Sequence, residues 1–385
     1  MSELAAAVEA VKDAVVAWRR DFHRHPELAF EERRTAGVIR TFLEGEGIEV
    51  AACGRTGLRG VLRGGRPGRT VALRADMDAL PVAELAGHDY VSENPGVMHA
   101  CGHDGHMAIL MGAARVLAAR RDTLPGNVVF LFQPSEENPP GGARLMIEEG
   151  ALEGVDAVFG LHLWQPLPSG VVGLRSGPLM AQADEFRVVV RGRGGHASQP
   201  ERTVDAVVTA SHVVVAAQTI VSRFASPVEP VVVSFSTIHG GRIHNILPDE
   251  VEMTGTVRTF DAATQRAVKE RLGEVCEATC RLFGASAGFE YLDGYPPVVN
   301  DAASVELVRR VASRELGGGA VAEVAPIMGG EDFAYYLQHV PGAFALLGIG
   351  DGRPHPHHNA RFDIDEGVLP VGVRLMTAVA LEMMG

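Results

Sequence analysis

Apolar and polar positions along the chain follow a helical period first and then alternate between strand and helix periods. Apolar residues at helical spacing predict a first helix over 4–24, which ends at His25-Pro26 because proline disfavours a helical conformation in the residue before it. Short, mostly apolar runs predict strands covered on both faces, at 69–74, 127–132 and 156–161. A helix with one apolar side is predicted over 106–121. This alternation predicts an α/β fold with a largely parallel mixed sheet flanked by helices.

A different pattern begins at residue 184. The order strand, helix, strand, strand, helix, strand is predicted at 185–191, 203–224, 231–239, 250–259, 263–283 and 288–292. This is the order of a ferredoxin-like α+β unit. After Pro297 the chain returns to helices and short strands, and 385 residues exceed the size at which single cores usually split. We therefore predict one discontinuous α/β domain, 1–183 and 297–385, with a smaller ferredoxin-like domain inserted at 184–296.

Composition and charge narrow the class of partner. With 46% apolar and 22% charged residues the chain has the composition of a globular protein, and a formal charge of -13 disfavours binding to nucleic acid or to an anionic membrane. The most apolar long stretch, 204–221, contains Asp205, His212 and Gln218, which favours a packed helix over a membrane span. The first residues lack the features of a secretory signal. We expect a cytoplasmic protein that acts on a small molecule.

Ionisable side chains follow the predicted strands at their carboxyl ends. In open α/β sheets ligands bind outside these ends. Each of the predicted strands is followed closely by such residues: Asp76 and Asp78, Glu136 and Glu137, and His162. The loop 99–106, with the sequence HACGHDGH, adds imidazoles and a thiol before a predicted helix, and its glycines allow sharp turns.

This mixture of donors suits borderline divalent cations. Imidazole and carboxylate groups fit zinc, manganese, cobalt or nickel, and a thiolate such as that of Cys101 can bridge two metals. Two ions about 3.5–4 Å apart can polarise a carbonyl and activate water together. Glu136 and Glu137, as neighbours in a strand-like segment, face opposite ways, so one can bind a metal while the other acts on the water. The sequence therefore predicts a binuclear centre for metal-assisted hydrolysis.

Simpler interpretations of the same residues stay open at this point. His162 could be a hydrogen-bonded histidine of the core, and the histidine-rich run 355–358 could be a solvated loop. His23 and His25 are expected to cap the first helix or to pack at its end.

Seven motifs in order along nearly the whole chain carry a family resemblance. They are DFHRHPEL (21–28), LRADMDALP (73–81), MHACGHD (98–104), FQPSEE (132–137), GLH (160–162), GHAS (195–198) and GGEDF (329–333). The sequence resembles the M20 metallopeptidases, and within them the subgroup of N-acyl-amino-acid amidohydrolases that includes hippurate hydrolases and auxin-conjugate hydrolases.

The resemblance implies a role for each residue of the centre. The metal ligands would be Cys101, His103, Glu137, His162 and His358, which bind two divalent ions of unspecified identity. Glu136 would be the general base, taking a proton from the activated water and delivering it to the departing amine. Asp78 would orient a ligand.

Three features depart from the wider family. Asp76 stands where relatives have a metal-binding histidine and Cys101 where they have an aspartate, and both changes are typical of the amidohydrolase subgroup. The usual His-x-Pro is also missing near the last ligand. His358 keeps the spacing to Phe362 and is the predicted ligand, with His357 as the alternative.

The inserted segment resembles the family's lid and dimerisation domain, which implies a homodimer, with a tetramer as the alternative. His196 would stabilise the oxyanion, from its own or from the partner subunit. Asn245 and Arg258 would bind the substrate carboxylate, although a turn-forming asparagine and a surface arginine are the alternatives. A hinge is expected near Ala183 and Tyr295.

The implied reaction is hydrolysis of an N-acyl amino acid, such as an N-acetyl or N-benzoyl amino acid, to a carboxylic acid and a free amino acid. A dipeptidase or carboxypeptidase of the same family is the nearest alternative. A non-catalytic binding protein on this scaffold is a further alternative, but it would require loss of the base or the ligands, and all of them are present.

Overall fold

The computed structural model describes residues 3–353 and 355–385 and divides the chain into two compact units. The first unit comprises the chain up to Leu179 together with Val298–Ala325 and Asp332–Gly385. The second unit comprises Met180–Pro297 and Pro326–Glu331.

Helices and strands alternate through the described residues. The helices are α1 (Glu3–Arg24), α2 (Arg33–Gly45), α3 (His103–Ala118), α4 (Gly142–Glu148), α5 (Ala206–Thr219), α6 (Ala262–Leu282), α7 (Ala302–Leu316), α8 (Ala334–Leu337) and α9 (Leu369–Met384). The strands are β1 (Glu49–Ala52), β2 (Leu58–Arg63), β3 (Arg66–Asp76), β4 (Pro125–Gln133), β5 (Ala157–Pro168), β6 (Val172–Leu174), β7 (Gly177–Met180), β8 (Gln182–Arg191), β9 (Gly195–His196), β10 (Val232–Gly240), β11 (Ile246–Leu247), β12 (Glu250–Thr259), β13 (Ser286–Tyr295), β14 (Val298–Asn300), β15 (Val321–Glu323) and β16 (Gly342–Gly350).

The main sheet of the first unit has the strand order β1-β2-β4-β3-β5-β16-β6-β15. Its central strands β4, β3, β5 and β16 run parallel, whereas β1, β2 and the β16–β6 pair add antiparallel pairings. The second half of β3 and nearly all of β4 and β16 are buried, as expected of strands covered on both faces. The predicted α/β class with a mixed, largely parallel sheet is therefore confirmed.

Helix α3 lies at the centre of the first unit, and α1 and α9 contact it. Nearly all of its side chains are buried, so it is covered on all sides and not only on the one apolar side that was expected. Gly112 makes this packing possible because a Cβ there would lie 2.7 Å from Val373 and 2.8 Å from Val15. The three helices approach closely at a position where only hydrogen fits.

The second unit has an antiparallel sheet with the order β10-β12-β8-β13, and α5 and α6 pack against it. Each helix begins with an aspartate whose carboxylate accepts hydrogen bonds from backbone N–H groups of the first turn: Asp205 for α5 and Asp261 for α6. The predicted helix over 203–224 therefore begins later, at Ala206, and Ile220–Phe224 forms a π-helical turn.

We predict opposite effects for the same substitution at two helical glycines. Gly112→Ala should lower the free energy of unfolding by about 1–2 kcal/mol, because the methyl clashes with stiff valine side chains and this exceeds the gain in helix propensity. Gly37→Ala in α2, where a Cβ would meet nothing within 4 Å, should raise it by about 0.5–1 kcal/mol. Urea unfolding measures both, and a stabilising Gly112→Ala would contradict the packing argument.

Candidate metal centre

The candidate ligands converge at the carboxyl ends of the central strands. Asp76 ends β3, and Glu136 and Glu137 follow the end of β4. The prediction that His162 follows the end of its strand is wrong. His162 lies inside β5, because β5 continues to Pro168 alongside β16. Pairing of β5 with β3, however, ends at Gly160, so His162 lies beyond the part of the sheet that the two strands share.

The side chains that could bind a metal form overlapping groups, so one residue can belong to two groups. Three of the groups whose donor atoms lie within 4.8 Å of one another contain the predicted ligands: Cys101, His103 and His162; Cys101, Glu137 and His358; and His103, Glu136 and Glu137. Cys101 Sγ lies 3.5 Å from His162 Nε2, and Glu137 Oε1 lies 3.3 Å from His358 Nε2 and 3.9 Å from His103 Nε2. The structure thus brings together all five predicted ligands and the predicted base in one connected set of donors.

The chemistry of these donors fits metal ions. His103 Nε2 and Glu137 Oε1 are buried and have no hydrogen-bond partner among the described residues, which is costly unless a ligand satisfies them. Burial and the nearby carboxylates of Glu137 and Glu136 raise the pKa of the Cys101 thiol, so a thiolate there requires a cation. Burial and neighbouring imidazoles lower the pKa of His162, which keeps that ring neutral and able to bind a metal.

Hydrogen bonds fix which nitrogen of each imidazole faces the centre. His103 Nδ1 lies 2.8 Å from the carbonyl oxygen of Asp78, and His162 Nδ1 lies 2.7 Å from that of Leu163. A proton on each Nδ1 makes these bonds and leaves the lone pair on Nε2. The carboxylate of Asp78 accepts hydrogen bonds from the backbone N–H groups of Glu136 (2.9 Å) and Glu137 (3.0 Å). Asp78 therefore positions both glutamates.

The structure distinguishes the two candidate histidines at the end of the chain. His358 has a left-handed backbone (φ 65°), donates its N–H to the carbonyl of Ala100 (2.8 Å) and faces Glu137. His357 donates from Nε2 to the carbonyl of Leu163 (2.9 Å), and its ring stacks on Trp164 at 4.9 Å. The imidazole of His358, and not that of His357, joins the donor groups.

A buried network around Arg74 could not be predicted from the sequence. Arg74 donates hydrogen bonds to Asp76 (2.7 Å), Gln133 (2.9 Å) and Asp332 (2.9 Å). Asp76 in turn accepts a hydrogen bond from His106 Nδ1 (2.6 Å). Four of these five residues lie in the motifs that carry the family resemblance. Arg74 and Asp332, however, are 258 positions apart, and a pairing over that distance leaves no signal in local spacing.

Glu32 supports the turn that precedes Glu136. Its buried carboxyl accepts hydrogen bonds from the N–H of Ser135 (2.9 Å) and from the hydroxyl of Thr56, and Ser135 has a left-handed backbone (φ 52°). Such a conformation persists in a non-glycine residue only where its surroundings hold it. Burial raises the pKa of Glu32 to about 7.

The remaining predicted site residues belong to the second unit. His196 pairs with Ile246 across β9 and β11, and the N–H of Ala197 donates to the carbonyl of Asn245 (3.1 Å), so His196 and Asn245 are neighbours. His196 Nδ1 accepts a hydrogen bond from the N–H of Ser198 (3.2 Å), which places the ring proton on Nε2.

Arg258 is bound to the backbone of its own unit. Its Nε donates to the carbonyl of Met328 (3.1 Å), and its Nη1 donates to the carbonyls of Asp184 (3.4 Å) and Val257 (3.1 Å). These bonds hold the guanidinium at a fixed position on β12.

The chain is similar to known proteins over most of its length. Residues 72–382 match the family described as Peptidase family M20/M25/M40. The chain is 45% identical over 299 residues to N-acyl-L-amino acid amidohydrolase of Geobacillus stearothermophilus, covering 77% of this chain and 81% of that protein. It is 39% identical over 382 residues to thermostable carboxypeptidase 2 of Saccharolobus solfataricus, covering 97% and 96%.

A solved structure shows the same fold. The Bacillus subtilis YXEP protein, described as a dinuclear metal-binding peptidase from the M20 family, superposes with a TM-score of 0.86 at 36% identity. The match covers 98% of this chain and 99% of that chain.

We predict that Glu32 makes stability depend on pH. Its pKa is 4.5 in the unfolded chain and about 7 in the fold. As the pH rises through this range, the unfolded chain loses this proton more readily than the folded protein, which destabilises the fold. Its contribution to the free energy of unfolding should therefore fall by roughly 2–3 kcal/mol between pH 5 and pH 8. Glu32→Gln keeps the hydrogen bonds and should remove that fall.

Urea unfolding of the two proteins at both pH values isolates this effect, because other titrating groups cancel in the difference. Glu31→Gln, at an exposed neighbouring carboxylate, is the matched control and should behave as the wild type. Parallel pH curves for wild type and Glu32→Gln would show that Glu32 is ionised in the fold at low cost.

Proposed function

Since the chain belongs to peptidase family M20/M25/M40 and is a metallohydrolase, we propose that it hydrolyses the amide bond of N-acyl amino acids to a carboxylic acid and a free amino acid. The observation that supports this proposal is the juxtaposition of Glu136 with overlapping groups of donors that could hold metal ions. The similarity to N-acyl-L-amino acid amidohydrolase supports the substrate class.

The residues of this centre have different proposed roles. We propose that Cys101, His103, Glu137, His162 and His358 hold two divalent ions. These ions, when bound, supply Lewis-acid polarisation of the carbonyl and lower the pKa of water. Glu136 takes a proton from the attacking water and delivers it to the leaving nitrogen. Asp78 acts by positioning, because it fixes the backbone of both glutamates.

The second unit is proposed to supply the donors that recognise the substrate. With its proton on Nε2, His196 can donate a hydrogen bond to the oxyanion that develops at the carbonyl. The adjacent Asn245 and the guanidinium of Arg258, through Nη2, would bind the free carboxylate of the amino acid. We propose that this unit is the lid domain predicted at 184–296.

A carboxypeptidase is the second candidate. The similarity to thermostable carboxypeptidase 2 extends over 97% of this chain and favours it specifically. Both activities need a free α-carboxylate on the leaving amino acid, so they differ in whether a simple acyl group or a peptide precedes the scissile bond.

We further propose a homodimer formed through α5 and the edge strand β10. Helix α5 exposes Val207, Val208 and Val215, and β10 exposes Ile238 beside it. The segment Ala206–Phe224 is as long and as apolar as a helix that could cross a membrane. Only 28% of its most apolar 18-residue stretch is buried, so much of this apolar surface is exposed. An exposed apolar helix next to an unpaired strand edge is a surface that a second copy of the chain can cover.

We predict that Glu136→Gln lowers kcat by about 10²–10⁴-fold, because the amide cannot take the proton from water. The substrates are N-acetyl, N-benzoyl and indole-acetyl amino acids together with dipeptides, and released amino acid is measured. Metal content should equal that of the wild type. Glu148→Gln, on the exposed face of α4, is the matched control and should be fully active.

Release of amino acid from the acyl substrates but not from dipeptides would establish the proposed substrate class. The reverse preference would establish the carboxypeptidase alternative. An active Glu136→Gln enzyme would contradict the role of this residue as the base.

We predict that Val215→Glu converts the dimer to a monomer, because the charge would be buried in the subunit contact. Sedimentation equilibrium measures the mass of the assembly. Leu292→Glu places the same charge on an exposed side chain of the opposite edge strand, β13, and should leave the dimer intact. A monomeric wild type would contradict the proposed contact, and a mass of four chains would establish the tetramer.

A further inference from the structure

A second group of metal-ligand side chains lies outside the binuclear centre. His23 is in the last turn of α1, and Glu84 and His88 lie in the loop that follows β3. Their donor atoms lie within 4.8 Å of one another, with Glu84 Oε1 3.2 Å from His23 Nε2 and 3.1 Å from His88 Nε2. None of these three residues belongs to the ligand set already described.

The orientation of His88 does not fit an ordinary ion pair. Although its Nε2 lies 3.1 Å from the carboxylate of Glu84, neither ring nitrogen has a hydrogen-bond partner among the described residues. Both nitrogens are buried, while the ring stacks on Tyr90 with centroids 3.8 Å apart. Burial and the nearby His23 lower the pKa of His88, so its ring is neutral and carries a lone pair. A cation between this buried lone pair and the carboxylate oxygen would satisfy both.

His23 has the outer hydrogen bond that is typical of a metal-binding histidine. Its Nδ1 lies 2.7 Å from the carboxylate of Asp104, which also accepts from Arg19 Nε (2.8 Å). A proton on Nδ1 makes this bond and directs the lone pair of Nε2 toward Glu84. The other carboxylate oxygen of Glu84 accepts from the N–H of Ser92 (2.6 Å), which fixes the orientation of that side chain.

We propose that His23 Nε2, Glu84 Oε1 and His88 Nε2 bind a third divalent cation of the zinc class. Two imidazoles and one carboxylate are a ligand set of such ions, with water as the fourth ligand. Donors at tetrahedral positions about 2.0–2.1 Å from zinc lie about 3.3 Å apart. The two N–O distances of 3.2 and 3.1 Å match this spacing before any ion is bound.

The local charge also favours a cation. The nearby carboxylates of Asp104, Asp363 and Glu366 are paired with the guanidinium groups of Arg19, Arg20 and Arg353, whereas that of Glu84 lies against the imidazoles of His23 and His88. Without a second proton on the His23 ring, four negative charges thus face three positive ones. Although burial and the charge of Arg19 oppose it, hydrogen bonds to Asp104 and Glu84 raise the pKa of His23, so the cation takes the place of a ring proton.

The position of this site suggests what the ion does. It would join the end of α1 to the loop that leads from β3 toward Cys101, two segments far apart in sequence. His23 is hydrogen-bonded to Asp104, the residue next to His103. The third ion would therefore hold the ligand loop of the binuclear centre in place without taking part in the reaction.

The test is the number of zinc ions per chain after equilibrium dialysis against micromolar zinc, measured by plasma mass spectrometry. His88→Phe keeps the stacking on Tyr90 and removes the ligand, so this variant should hold one ion fewer than the wild type. Glu84→Gln should lose the same ion. His25→Gln is the matched control, since His25 also lies beside carboxylates, Asp21 and Glu93, but has no second imidazole with it.

A second comparison separates this site from the binuclear centre. His162→Gln weakens that centre, and adding His88→Phe to it should remove one further ion. Equal zinc content in the wild type and a folded His88→Phe variant, with melting profiles that match, would overturn the proposal. So would a loss of zinc in His25→Gln equal to that in His88→Phe.

Discussion

The hydrogen bonds donated by the guanidinium of Arg74 are the interactions on which the sheet edge with the candidate ligands depends. The guanidinium is fully buried and donates hydrogen bonds to β3 through Asp76, to β4 through Gln133 and to the segment before α8 through Asp332. Breaking a buried ion pair by removing one partner typically costs about 3–5 kcal/mol, because the other charge is left uncompensated. Here one cation compensates two carboxylates, so the arrangement of three chain segments is tied to a single side chain.

That network extends to the proposed metal ligands through shared acceptors. Asp76 receives hydrogen bonds from both Arg74 and His106, and His106 Nε2 accepts from the N–H of Leu163, the residue after the proposed ligand His162. Asp78, two residues further on, holds the backbone of both glutamates. The donor groups are therefore oriented by hydrogen bonds before a metal binds, which lowers the reorganisation that binding requires.

The sequence predicted the type of fold and the location of the candidate site because both depend on local signals. Apolar runs identified β3, β4 and β5, and ionisable residues at their ends identified the edge where Asp78 and Glu137 lie. Long-range partners leave no such signal. The pairing of β5 with β16 extends the strand past His162, and the support that Glu32 gives to Ser135 joins residues 103 apart. The roles of His196, Asn245 and Arg258 stay predictions, because they too depend on partners that local signals do not reveal.

The left-handed backbone of His358 has a consequence for how this centre could change. Residues with positive φ are usually glycine or asparagine, so this position combines a rare conformation with a side chain that those residues cannot replace. Its neighbour His357 is bonded to the carbonyl of Leu163 and faces elsewhere. Exchange of the two imidazoles would thus require a change in the backbone and not merely the rotation of a side chain. The backbone conformation of this loop, more than the presence of a second histidine, therefore decides which imidazole can face the centre. It also limits the residues that can replace His358.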